Sequence, residues 1–278
     1  ASRSSSRGRP PEMQPFFLEG QKGPLFGLYH PPLTGEPRAI VVHCPAFAEE
    51  MNKSRRMVAL QARAFAQQGL GTLVFDLFGT GDSAGDFGDA TWDGWLADVR
   101  VALDWAGARC ARVALWGLRG GALLAGAAAR EAGDAVEQVL LWQPVLKGEV
   151  WLSQFLRLRT AAALFRGGEK ETVKDLRGRL LSGETMEVAG YRVGPALAAG
   201  LLGSSLTDDL TVAGRPVAWL EVTSGEGREM PPAPARVAEV LTQAGVPVRS
   251  AVVGGEPFWS TQEIAVAPEL IRATVRSL

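Results

Sequence analysis

The sequence predicts an α/β protein: a mostly parallel central sheet with helices on both faces and a helical insertion. Three observations lead there. Short unbroken apolar runs such as "AIVVHC" and "GTLVFD" are the mark of strands covered on both faces. Between them lie stretches whose apolar residues recur at i, i+3, i+4 and i+7, the period of a helix with one buried face. One long stretch, 146–209, breaks the alternation with Leu- and Arg-rich helical sequence.

The elements follow in order. Residues 1–12 begin "ASRSSSRGRP", lack the apolar run of a secretory signal, and are expected to be a disordered leader or cloning remnant. "MQPFFLEGQKGPLFGLYHP" has two short apolar stretches around a Gly/Lys turn, an antiparallel hairpin. Ser54 to Gln68 carries Met57, Val58, Leu60, Ala64 and Phe65 on helical spacing and closes at Gly69. Thr91 to Trp105 is amphipathic through Trp92, Trp95, Leu96, Val99 and Leu103. The strand "RVALWG" leads into a small-residue helix from Gly121 to Ala132, followed by the strand "VEQVLLWQP". After the insertion come the strand "PVAWLEV", the helix "PAPARVAEVLTQAG", the strand "PVRSAVV" and the helix "PELIRATVRSL". The core is thus expected in two parts, 13–145 and 210–278, with 146–209 inserted as a lid over the carboxyl ends of the strands, where α/β sheets bind ligands.

Bulk properties narrow the function. A formal net charge of -1 gives no bias toward polyanions, so nucleic acid is not an expected partner. No stretch reaches the roughly 20 apolar residues of a membrane span. Two cysteines, Cys44 and Cys110, are too few to staple a fold of this size and point to a reducing, cytoplasmic setting. No cofactor or metal is expected.

The stretch "VALWGLRGGALLAG", Val113 to Gly126, passes from strand through a glycine-flanked turn into a helix. In the G-x-S-x-G nucleophile elbow the apex of such a turn is serine. Here the apex is Arg119.

The order "HCPAFAEE", "DLFGTGDS", "GLRGG" resembles the α/β-hydrolase superfamily over nearly the whole chain. More narrowly, "PAFAEEMNKSRRM", "DLFGTGDSAGDF", "WGLRGGALLA" and "PFWSTQEI" resemble the second type of exosortase A system-associated hydrolases. That resemblance implies a hydrolase fold linked to exopolysaccharide biosynthesis and exosortase protein sorting. It also implies a small-molecule, lipid or polysaccharide-linked ligand and partners among the proteins of those systems.

A serine mechanism needs a nucleophile, a histidine and an orienting carboxylate. Arg119 cannot attack, because its guanidinium stays protonated. The turn after the last strand reads "VVGGEPFW", with Glu256 and Pro257 where a histidine is common, and both histidines, His30 and His43, precede the elbow. Glu226 or Glu229 stands near the expected place of the orienting acid, and Glu226, Glu256 and Cys44 are the weak catalytic candidates that remain, with Glu226, Glu256 or a residue of the insertion able to activate water. For Cys44 the alternative is plain packing, and for His43 a core role.

Arg119 has two readings. With Gly120, Ala46 and the loop after the first parallel strand it forms an anion site, walled by Phe47 and Trp259 and flanked by Glu49. Otherwise it pairs internally with Glu49 or Glu50. Asp76 and Ser83 are expected to fix their own loop by local hydrogen bonds. Arg157, Arg159 and Arg166 serve either an acidic ligand or a solvated helix face.

Overall fold

Residues 12–165, 171–225 and 229–277 are described by the computed structural model. Their strands, in chain order, are β1 (Gln14–Gly20), β2 (Gly23–His30), β3 (Ile40–Cys44), β4 (Gly71–Phe75), β5 (Val113–Leu118), β6 (Gln138–Trp142), β7 (Met186–Val188), β8 (Tyr191–Val193), β9 (Val217–Thr223) and β10 (Val248–Gly254). The α-helices are α1 (Glu49–Gln67), α2 (Trp92–Gly107), α3 (Gly121–Ala132), α4 (Gly148–Phe165), α5 (Val173–Leu181), α6 (Pro195–Gly203), α7 (Leu206–Ala213), α8 (Pro232–Gln243) and α9 (Pro268–Ser277).

Eight strands make one sheet in the order β1-β2-β4-β3-β5-β6-β9-β10. The hairpin β1–β2 and the β2–β4 pairing are antiparallel, and every pairing from β4 to β10 is parallel. Alternate strand residues face opposite layers, and the burial follows that alternation. Val42, Leu115 and Trp219 pack with Trp95 of α2 and Leu123 of α3, whereas Val41, Trp116 and Trp142 pack with Met57 and Phe65 of α1 and Leu270 of α9.

One helix boundary differs from the sequence reading. α1 starts at Glu49, five residues before Ser54, because Ala48 turns the chain at φ 51 straight from the loop after β3 into the helix. Two acidic residues, Glu49 and Glu50, then occupy the first turn, where the helix dipole favours them. α2 starts as expected behind Thr91, whose hydroxyl accepts from the Gly94 N–H.

The insertion is not all helix. "MEVAGYRV" folds back as the β7–β8 hairpin, its two-residue turn formed by Ala189 and Gly190 at φ 51 and 86. Residue 209 falls inside α7, which packs on α3 where Gly126 lets Leu206, Asp209 and Leu210 come close. Arg130 of α3 pairs with Asp209 at 2.6 Å. α4 is buried through Trp151, Leu152, Phe155 and Leu156, while α5 is tied down by ion pairs: Arg159 and Arg179 share Glu171, Arg179 also holds Glu184, and Arg177 holds Glu149. Among the described residues no helix is long and apolar enough to cross a membrane.

Candidate functional site

β5 ends at Leu118 and α3 begins at Gly121, so the turn between them has only Arg119 and Gly120. Arg119 stands at φ 54, a left-handed conformation that costs an ordinary residue about 1–3 kcal/mol. Glycine makes the turn possible. A Cβ on Gly117 would lie 2.5 Å from the Ala122 Cα, and one on Gly121 would lie 2.2 Å from the Cys44 carbonyl oxygen. The strained residue is held at both ends: its N–H donates to the Trp142 carbonyl at 3.0 Å, and its carbonyl accepts from the Val145 N–H at 3.1 Å. Ala48 and Gln143 are also left-handed, at φ 51 and 42, and both border this turn through the residues they adjoin.

The Arg119 side chain, about a sixth exposed, donates from Nε to Glu50 Oε1 at 3.0 Å and from Nη1 to the Gln143 carbonyl at 3.2 Å. Its guanidinium carbon lies 5.3 Å from the centre of the Trp259 ring. Gln143 is itself fixed, its side-chain oxygen accepting from the Val222 N–H at 2.7 Å. Of the two carboxylates offered by the sequence, Glu50 takes the guanidinium, while Glu49 is exposed and hydrogen-bonded to Tyr191. Burial raises the Glu50 carboxyl above its ordinary range, against the pull of Arg119, the Trp151 side chain and Lys53. Its second oxygen, Oε2, is buried with no hydrogen-bond partner among the described residues.

Beside this pair lies a cavity of about 250 Å³ between the start of α1, the insertion helix α4 and the loop after β10. Phe47, Trp151, Phe155 and Trp259 wall it, and Glu49, Glu50 and Lys53 supply its charge. Phe47 is fully buried, its ring wedged between Trp95 and Trp151 at 4.8 and 5.3 Å. The same ring fills the space where a Cβ on Gly120 would stand, 2.6 Å away.

The remaining site candidates separate. Ala46 faces away from this cavity and lines a different one on the α1 side of the sheet, together with His30 and His43. Cys44 is fully buried, and burial pushes its thiol well above the ordinary range, the setting of a packing cysteine rather than of an activated thiolate. Glu256 is exposed and is not part of the cavity wall. Glu229 lies beyond the end of β9 and likewise outside that wall. Glu226 and Arg166 lie outside the described residues. Asp76 and Ser83 tie their loop together: Ser83 Oγ donates to the Asp76 carbonyl at 2.5 Å, and the Asp82 N–H donates to the Asp76 carboxylate at 3.0 Å. Arg159 belongs to the ion pairs of the insertion. No group of three metal-ligating side chains occurs among the described residues.

A buried acid within reach of Arg119's charge escaped the sequence reading. Glu221 on β9 is 2% exposed and accepts from the Trp219 indole N–H at 2.7 Å. Burial raises its carboxyl, and the Trp219 hydrogen bond and the charge of Arg119 oppose the rise. The signal was present as a lone Glu inside the apolar run "VAWLEV". Arg119 therefore has Trp259 of the loop after β10 beside its guanidinium, and its charge reaches the buried Glu221 carboxylate on β9.

The fold has many structural relatives. Est1E from Butyrivibrio proteoclasticus with ferulic acid bound is 17% identical, covers 94% of this chain and 96% of its own, and superposes with a TM-score of 0.66. The α/β hydrolase GrgF from Penicillium sp. sh18 is 15% identical over 96% and 98% of the two chains, TM-score 0.64. Proline iminopeptidase from Mycobacterium smegmatis is 17% identical over 94% and 96%, TM-score 0.59. At such identities the likeness is one of fold, an α/β-hydrolase fold. No curated protein matches the sequence. The family model for serine aminopeptidase, S33 (Hydrolase_4) runs from residue 35 to 206, taking in the loop after β3, the elbow and most of the insertion, and with more than half its length so matched the chain belongs to that family.

Proposed function

We propose that this member of the family has given up the Ser-His-acid triad and binds, rather than cleaves, an acyl or aromatic carboxylate in the cavity beside Arg119. The observation that carries the reading is the guanidinium at the elbow apex, bonded to Glu50 and covered by Trp259. A serine at that position would need a histidine to take its proton, and the two histidines of the chain sit on β2 and β3 under α1. An incoming carboxylate displaces Glu50 from Arg119 and lays its apolar body among Phe47, Trp151, Phe155 and Trp259. The neighbour Est1E holds ferulic acid, a carboxylate joined to an aromatic ring, which is chemistry such a pocket would accept. The resemblance in "PAFAEEMNKSRRM" and "PFWSTQEI" supports placing the protein beside exopolysaccharide biosynthesis and exosortase sorting, in the cytoplasm, with a lipid- or polysaccharide-linked acid as the natural ligand.

A second reading, hydrolysis by a carboxylate-activated water, is favoured by one feature: Glu50 has a raised carboxyl and a buried oxygen without a partner.

Tryptophan fluorescence titrated with ferulate and with its methyl ester tests the first reading. Ferulate binds better than the ester by roughly tenfold or more, Arg119→Ala removes that preference, and Glu50→Gln strengthens ferulate binding by freeing the guanidinium. A serine-directed phosphonate leaves the protein unlabelled, and Arg119→Ser gains no esterase activity. Equal binding of acid and ester in all three proteins, or stoichiometric serine labelling, overturns it. Turnover of the ester that disappears in Glu50→Gln would establish the second reading instead.

A further inference from the structure

A second cavity, of about 230 Å³, opens between α1 and the sheet, on the face opposite α2 and α3. Its wall is mostly aliphatic, with Leu28, Met51, Val58 and Val74 prominent, and Leu28, Ala59 and Val74 are only half-buried, so it communicates with solvent. Both histidines of the chain line it. His43 is 2% exposed, and burial holds its ring down to about 3, so it is neutral at any physiological pH. A neutral ring whose Nδ1 lies 3.2 Å from the Trp116 carbonyl must carry its proton there, since a carbonyl only accepts. Nε2 is then a lone-pair acceptor.

Two further observations mark this face as under-satisfied. His30 is the register partner of Thr72, so their side chains share the face, and the Thr72 hydroxyl is buried without a partner. Gln61 of α1 is fully buried, with neither its amide oxygen nor its amide nitrogen bonded. Each such group is unfavourable when left dry. The rim carries the Arg55–Asp76 ion pair, at 3.2 Å. Arg55 and Asp76, both in the wall, neutralise each other, so the cavity carries no net charge to hold an ion, and with His43 as an acceptor a neutral hydrogen-bond donor is suited.

We propose that this cavity is a binding site for a small neutral amphiphile, an alcohol or phenol, whose hydroxyl donates to His43 Nε2 while its apolar part fills the space under α1. The site is distinct from the Arg119 cavity, although Pro45, Ala46 and Leu118 place its inner end directly below the loops that build the elbow.

The test uses protein labelled with ¹⁵N-histidine, in which the only two imidazoles both report on this cavity. Phenol shifts the acceptor nitrogen of His43 saturably, and toluene, which lacks the donor, does not reproduce the shift. In His43→Leu the ratio of phenol to toluene affinity falls by about fivefold to tenfold. Ala59→Phe, a change at a half-buried helix position on the cavity wall, leaves the fold intact and abolishes the shift. The proposal is overturned if neither imidazole moves with phenol at millimolar concentration, or if the Ala59→Phe protein responds like the parent.

Discussion

Arg119 Nε and Glu50 Oε1, 69 residues apart in the chain, stand 3.0 Å apart and join the elbow to the first turn of α1. Both side chains are mostly buried, at 16% and 22% exposure, so neither charge is fully hydrated when its partner is lost. Arg119→Ala is expected to destabilise the protein by about 1–3 kcal/mol, and Arg119→Ala with Glu50→Gln to recover at least half of that. Urea denaturation of the two variants and the parent measures both quantities. Additive losses would show that the pair is not coupled.

Two glycines should respond in opposite directions. Gly121→Ala drives a methyl group into the Cys44 and Pro45 carbonyls, at 2.2 and 2.3 Å, where only backbone could yield. A loss of about 3 kcal/mol or more, or failure to fold, is expected. Gly178→Ala sits inside α5, exposed and with nothing within 4 Å of the new Cβ, and should stabilise by about 0.5–1 kcal/mol. Thermal melts separate the cases by sign alone.

Asp98 gives the protein a pH dependence of its own. The carboxyl is buried, accepts from the Phe78 N–H at 2.8 Å, and is pushed up to about 6, with burial the largest cause. Between the unfolded value near 3.8 and the folded value near 6, the folded state binds the extra proton, so stability falls as pH rises across that window and is flat above it. The contribution is roughly 1–3 kcal/mol. Asp98→Asn should flatten the profile between those values and leave the variant relatively more stable at pH 7.5.

The two thiols should differ in kinetics. Cys110 is half-buried, its sulfur 3.3 Å from the Pro37 carbonyl, while Cys44 is sealed under the elbow. Iodoacetamide is expected to modify one equivalent of native protein, at Cys110, and the second only in denaturant. Rapid modification of both would restore Cys44 as a candidate nucleophile.

Much of this architecture was legible in the residues, because the buried strands are unbroken apolar runs and the helices carry clean periodicity. "AIVVHC" and the Trp92–Leu103 pattern are enough to place their elements. The β7–β8 hairpin was not legible, since three-residue strands are too short to establish a period of two, and its only signal was the Ala189-Gly190 turn. The site was legible in part. Arg119 at the apex follows from glycine spacing, but the choice of Glu50 over Glu49 depends on where α1 begins, one residue after the left-handed Ala48. Glu221 was hidden for a different reason: an acid in mid-strand looks like an edge residue until its Trp219 partner and its burial are seen.

The ion pairs that hold α5 carry a consequence for how the insertion breathes. Glu171, Glu184, Arg177 and Arg179 sit at the surface, so their attraction is screened as ionic strength rises, with a Debye length of ~8 Å at 0.15 M and ~3 Å at 1 M. α4 shares two of those pairs through Glu149 and Arg159, but it is anchored chiefly by the apolar burial of Trp151, Leu152, Phe155 and Leu156, which charge screening leaves in place. Salt therefore acts more on α5 than on α4: amide hydrogens of α5 should exchange faster at high salt, while those of α4 lose less of their protection.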